Sequence, residues 1–165
     1  MMRIAALALM LLVSACGLRP LYGSGEGGKG AQALRTVDVA PIDGKAGWLM
    51  RNALNDRLDR DGGVPAQYRL EVELDDTISG FGVRRDDAVT RERRTLRARY
   101  RLVDAGRGTV LLDATAGSDA GIDVVSSEYA TVAAENTALE RLSQIIADQI
   151  VARVALYAER QTPDK

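Results

Sequence analysis

The sequence contains no histidine and a single cysteine, Cys16. Without histidine, the usual proton shuttles, the Ser-His-Asp and Cys-His nucleophile arrangements and the common zinc ligand sets are all missing. A lone cysteine cannot close an intrachain disulfide. Charge of one sign is lacking as well: 22 basic and 23 acidic residues leave a formal net charge of -1, so there is no global basic footprint of the kind nucleic-acid binding requires. Recognition of an anion must therefore be local. The apolar run Ile4 to Val13 makes about 15 Å of helix, too short for a hydrocarbon core of roughly 30 Å.

What is present is one domain's worth of chain: 165 residues, 46% of them hydrophobic, enough to bury a core. Residues 1–15 carry Arg3, then the apolar run, then the small pair Ser14-Ala15, the build of a secretory signal peptide. Val13-Ser14-Ala15-Cys16 resembles the bacterial lipobox, which implies diacylglyceryl attachment to the Cys16 thiol, cleavage before Cys16 and acylation, palmitate for instance, of the new amino terminus. The alternative is an ordinary signal peptide cut after Ala15. Several acyl chains, at about 0.8 kcal/mol per buried methylene, anchor a protein without a transmembrane helix. Gly17, standing where an Asp would imply inner-membrane retention, implies sorting to the outer membrane.

The stretch GSGEGGKG matches G-x-G-x-x-G at Gly23, Gly25 and Gly28. A phosphate cradle needs a buried strand before the glycines and a helix after them. Pro20 argues against the strand, and Gly30 stands where a magnesium-binding Ser or Thr would follow Lys29. The composition reads instead as a flexible tether. Residues 16–35 are thus expected to be anchor and tether, 36–160 the folded domain and 161–165 a tail.

Periodicity predicts the domain. TVDVAPI, Thr36 to Ile42, reads as a short edge strand, and Trp48 to Leu58 as an amphipathic helix with Trp48 or Leu49, Ala53, Leu54 and Leu58 inward, stopped at Asp61-Gly62-Gly63. Gln67 to Asp75 alternates cleanly, with Tyr68, Leu70, Val72 and Leu74 on one side. After a turn-like Ser79 to Gly82, a second alternating run carries Leu96, Ala98, Tyr100 and Leu102 inward. A hairpin turn at Asp104 to Gly108 leads to a third, Thr109 to Ala116, with Val110, Leu112 and Ala114 inward. From about Ser127 to Arg160 a long helix carries Val132, Leu139, Leu142, Ile146, Ile150 and Val154 as its apolar stripe, with Ser126 or Ser127 as cap and Thr162-Pro163 as stop. The expected fold is α+β: a four-stranded, mostly antiparallel sheet with two helices packed on one face.

This order, with Cys16-Gly17-Leu18-Arg19-Pro20-Leu21-Tyr22-Gly23, the Tyr68-Arg69-Leu70 strand, Thr90-Arg91 leading into Ala98 to Leu102, and Ser127-Glu128-Tyr129-Ala130, resembles the LptE family of lipopolysaccharide-assembly lipoproteins in its alphaproteobacterial form. The resemblance implies an outer-membrane, lipid-anchored, periplasm-facing protein that is not an enzyme and needs no cofactor. It implies a plug within an LptD-type β-barrel, supporting that barrel's assembly and the insertion of lipopolysaccharide into the outer leaflet. A periplasmic lipoprotein auxiliary to an ABC-type lipid transporter shares the anchor, the size and the α+β build.

One segment could carry chemistry by itself. Arg84 to Arg101 holds eight arginines against three acids. A period of two places Arg91, Arg93, Arg97, Arg99 and Arg101 opposite the inward Leu96, Ala98 and Tyr100. Arginine forks suit phosphate, so Arg84, Arg85, Arg91, Arg93, Arg97 and Arg99 are candidate lipopolysaccharide contacts. The competing explanation is cross-strand pairing with Glu71, Glu73 and Asp75, worth about 0.2 to 1 kcal/mol per pair. Arg84, Arg85 and Arg91 are expected to lie beyond those acids' reach. No residue set suggests a metal site.

Overall fold

Alternation over Tyr68 to Leu74 and Leu96 to Leu102 does produce two paired antiparallel strands, but they run well past the apolar residues that announce them. The computed structural model describes residues 29–60, 65–83 and 89–161. In chain order its elements are α1 (Lys29–Leu34), β1 (Val37–Val39), α2 (Gly44–Leu58), β2 (Tyr68–Val83), β3 (Val89–Asp104), β4 (Val110–Asp123) and α3 (Glu128–Gln161). The sheet order is β1-β2-β3-β4; β1 and β2 are parallel and joined through α2, while β2-β3 and β3-β4 are antiparallel. The α+β architecture with one mostly antiparallel sheet is as expected.

Several boundaries differ, each for a physical reason. The turn expected at Ser79 to Gly82 is strand, because Ser79, Gly80 and Phe81 stay in register with Arg93, Glu92 and Arg91, and Thr90 Oγ1 donates to Gly82 O at 2.8 Å. Lengthening β3 gives β4 more backbone to pair with, so β4 runs to Asp123 opposite Arg91 although its apolar alternation fades near Gly117. Residues 29–34, which composition placed in the tether, form α1, and Leu34 joins the core. The α2 stop comes earlier than the glycines: Asp59 adopts φ 44°, ψ 48° and returns its N–H to Asn55 O at 3.3 Å.

The core lies between the sheet and the helices. Val37, Val39, Leu70, Val72, Leu96, Ala98, Tyr100 and Leu102 meet Met50, Leu54 and Leu58 of α2, and Leu139, Leu142, Ile146, Ile150 and Val154 of α3. Of the alternatives Trp48 and Leu49, Leu49 packs against the core and Trp48 is exposed. Two other expected core positions are exposed: Val132, displaced by its neighbour Thr131, and Val110, at the very start of β4 beside the register shift at Leu102/Val103. The turn from Asp104 to Gly108 forms as expected, with Asp104 Oδ1 accepting from the N–H groups of Gly106 and Arg107. Ser127 Oγ accepts from Ala130 N–H at 3.4 Å at the start of α3.

Two cross-helix contacts fix the helix layer. Lys45 Nζ donates to Asn136 Oδ1 at 2.6 Å, and Arg57 forks onto Asp148 at 2.5 and 3.1 Å. Both residue numbers rise together, so α2 and α3 run in the same direction. Since α2 begins beside Asn136, the far ends of β2, β3 and β4 are covered by the first turns of α3 alone. No helix among the described residues is long and apolar enough to cross a membrane.

Candidate functional site

Odd-numbered residues of β2, β3 and β4 face away from the helices, and β3 carries Arg91, Arg93, Arg97, Arg99 and Arg101 down the middle of that open face. This is the stripe expected from the period of two. Its surroundings are richer in acid than anticipated, because β4 contributes a second row. Arg99 Nη2 lies 2.9 Å from Asp113, Arg93 Nε 3.8 Å from Asp119 and Arg91 Nε 3.1 Å from Asp123. From β2, Glu71 and Glu73 reach Arg101 at 3.2 and 3.3 Å.

Arg91 is therefore not beyond the reach of acids. The β2 carboxylates are distant, but β4 extends to Asp123 and supplies one. Asp75 faces Arg97 in register, yet among the described residues Arg97 makes no ion pair. It leans the other way: a Cβ added to Gly117 would lie 3.3 Å from Arg97 Cγ and 3.6 Å from Arg97 Nη1. An open depression of about 520 Å³ lies here, bordered by Gly117 with Glu73, Asp75, Arg97, Arg99 and Gln149.

Pairing is tightest at Arg99 and Arg101, absent among the described residues at Arg97, and limited to single contacts at the far end. The Asp113 fork holds the Arg99 guanidinium charged above its usual range and, reciprocally, keeps the Asp113 carboxyl below the ordinary carboxylate range. Arg91 and Arg93 each show one nitrogen-to-carboxylate contact and are more than half exposed at the side chain. Beside them the exposed Phe81 ring sits 5.4 Å from the Arg93 guanidinium carbon, a cation over an aromatic face. Cys16, Arg84 and Arg85 lie outside the described residues.

Sequence reasoning passed over Arg94. Its even number places it on the helix side, where it is nearly buried: Nε and Nη2 donate to Asp76 at 2.8 and 2.5 Å, and Nη1 to Glu135 O at 2.8 Å. The Asp76 hydrogen bonds hold its guanidinium charged against the opposing effect of burial. Alternation, applied strictly, separates this arginine from its neighbours. It ties the hairpin to α3 and does not belong to the open face.

The class this geometry defines is an α+β domain with a sequestered helix-facing core and an open, charge-laced sheet face, a build shared with small bacterial lipoproteins. A lipoprotein structure from Caulobacter crescentus, described as putative, is 25% identical, covers 83% of this chain and 100% of its own, and superposes with a TM-score of 0.70. The rare lipoprotein B from Shewanella oneidensis (10% identity, 76% of this chain and 96% of its own, TM-score 0.59) and the uncharacterized lipoprotein B from Nitrosomonas europaea (12%, 74% and 82%, TM-score 0.56) share the fold. No sequence among functionally curated proteins matches.

The model of the LptE lipopolysaccharide-assembly family matches residues 34–154, and the chain belongs to that family. The family's role in lipopolysaccharide assembly is non-enzymatic.

Proposed function

We propose that the protein is an outer-membrane lipoprotein, anchored through Cys16 after removal of residues 1–15, that seats within an LptD-type β-barrel. There it supports assembly of the barrel and insertion of lipopolysaccharide into the outer leaflet. The family match and the lipoprotein neighbours support this placement. Lipid A presents phosphates next to acyl chains, and its complement is a cation next to an apolar surface. The observation that carries the ligand reading is the far end of the stripe, where the loosely paired Arg91 and Arg93 stand beside the exposed Phe81. Arg84 and Arg85 adjoin this end in sequence and are counted with it. Arg99, forked onto Asp113, is the weaker candidate.

Charge reversal at Arg91 and Arg93 is expected to weaken lipopolysaccharide binding by about tenfold or more, the scale of losing charge-assisted hydrogen bonds. The barrel complex should remain intact. Binding to immobilised lipopolysaccharide, with copurification through the mature chain in mild detergent, reads both effects. Unchanged binding removes the ligand reading; recovery of an inner-membrane permease and no barrel removes the placement.

A further inference from the structure

Among the described residues the sheet ends at β4. Val124 N–H donates to Thr90 O at 3.0 Å, and in an antiparallel ladder such bonded pairs recur at every second residue. Even-numbered residues of β4 therefore turn their backbone groups to β3, and odd-numbered ones, from Asp113 to Gly121, turn theirs outward. Gly117 bears this out: its N–H points away from β3 and is met by the side-chain oxygen of Gln149 on α3 at 3.3 Å. A glutamine reaching across from a helix stands where a neighbouring strand's carbonyl would be.

Edge strands are ordinarily guarded by lysine, proline or shortness. β4 has 14 residues and contains no lysine, arginine or proline, and its three charges, Asp113, Asp119 and Asp123, are each engaged by an arginine of β3. On the helix side, Ile145 and Leu156 are exposed and lie four residues before and seven after Gln149, hence on the same side of α3. On the open side, Arg97 leans over Gly117 towards the edge, and among the described residues it makes no ion pair, although Asp75 faces it in register. An added strand would lie about 4.8 Å beyond Gly117, within the joint reach of an arginine and a carboxylate side chain.

We propose that the outer edge of β4 is a strand-addition site, at which the incoming strand takes over the Gly117 N–H from Gln149. Its occupant is an extended segment of another polypeptide that bonds the outward groups of residues 113–121, lays alternate apolar side chains toward Ile145 and Leu156, and places a carboxylate beside Gly117 for Arg97. A second copy fits less well, since every acid it could bring from its own β4, Asp113, Asp119 or Asp123, is already engaged by an arginine. The site is separate from the Arg91 and Arg93 end and does not rest on the lipid reading.

The test uses the full mature chain in detergent and a labelled nine-residue peptide of alternating valine and threonine with aspartate replacing the central threonine, followed by fluorescence anisotropy. Replacing that aspartate by lysine is expected to weaken binding at least tenfold. N-methylation of the amides on the peptide edge facing β4 should abolish binding, and methylation of the opposite edge should leave it. Thr115→Pro, which removes an outward N–H and no rung of the β3 ladder, should weaken it at least tenfold. Equal binding of the aspartate and lysine peptides, or of the two methylated series, overturns the proposal. So does a wild-type chain that dimerises and is made monomeric by Thr115→Pro, which would assign the edge to a second copy.

Discussion

Removing the carboxylate of Asp76 isolates Arg94, the arginine that the fold buries among the described residues. Arg94 is 11% exposed at the side chain and Asp76 23%, and the pair is joined by two hydrogen bonds, with a third from Arg94 to Glu135 O. Truncating one partner of a buried pair leaves an uncompensated charge and costs about 3 to 5 kcal/mol. Residual water access at Asp76 puts Asp76→Ala at the lower end, about 3 kcal/mol. At this chain length that lowers the melting temperature by roughly 10 °C. The double variant Asp76→Leu with Arg94→Met removes both charges and fills their space with apolar atoms. It should lie within about 1 kcal/mol of the native chain, because replacing an entire buried pair is often neutral. Urea unfolding followed by far-ultraviolet circular dichroism gives the three free energies. A single-variant cost below about 0.5 kcal/mol, the range of an exposed pair, would refute the reasoning. So would a double variant as unstable as Asp76→Ala or more so.

Other consequences follow from single contacts. Gly47→Ala should cost about 2 to 3 kcal/mol, since its Cβ would lie 2.4 Å from Ile42 O, backbone that cannot step aside; Gly121→Ala, with nothing within 4 Å, should be near neutral in the same unfolding assay. The Arg57 fork lowers the Asp148 pKa, so its stabilisation is present above the ordinary carboxylate range and is lost as pH falls through the depressed value. Melting temperature followed down from about pH 6 should fall less steeply in Arg57→Gln. Burial raises the Tyr100 pKa, so its contribution is complete below about pH 10 and is lost above it. Tyr100→Phe should blunt the alkaline loss of stability, and an unaltered alkaline limb would count against that assignment.

Much of the fold is legible in short-range pattern. Tyr68 to Leu74 and Leu96 to Leu102 face the helices as alternation demands, and Leu139 to Val154 form the long helix's buried side at helical spacing. What escaped depends on partners distant in sequence. Nothing local marks Ser79 to Val83 as strand; the register with Val89 to Arg93 does, and it in turn carries β4 to Asp123. Asp119 and Asp123, which answer Arg93 and Arg91, were missed for that reason, since they lie where the strand's hydrophobic alternation has faded. Asp113, which answers Arg99, lies inside the readable part of β4, but only the register shows that it faces the stripe. Arg94 had a readable signal in its parity, hidden inside a run of arginines. A slip of one residue in β3 would expose Arg94 and bury Arg93, so the Asp76 pair also resists misregister.

The unequal lengths of the two long helices have a consequence for motion. Over Leu70 and Val72 the sheet carries both α2 and α3; beyond Asp76 it carries only the opening turns of α3, and residues Thr77 to Gly82 are largely exposed. One continuous strand thus crosses two regimes of cooperativity. Amide hydrogen exchange along β2 and β3 should slow toward Leu70 and Leu102 and quicken toward Phe81 and Arg91, with Arg94 at the boundary. The far end can open and close on its own while the rest of the domain stays folded, and the arginines displayed there can change their spacing without disturbing the core that holds them up.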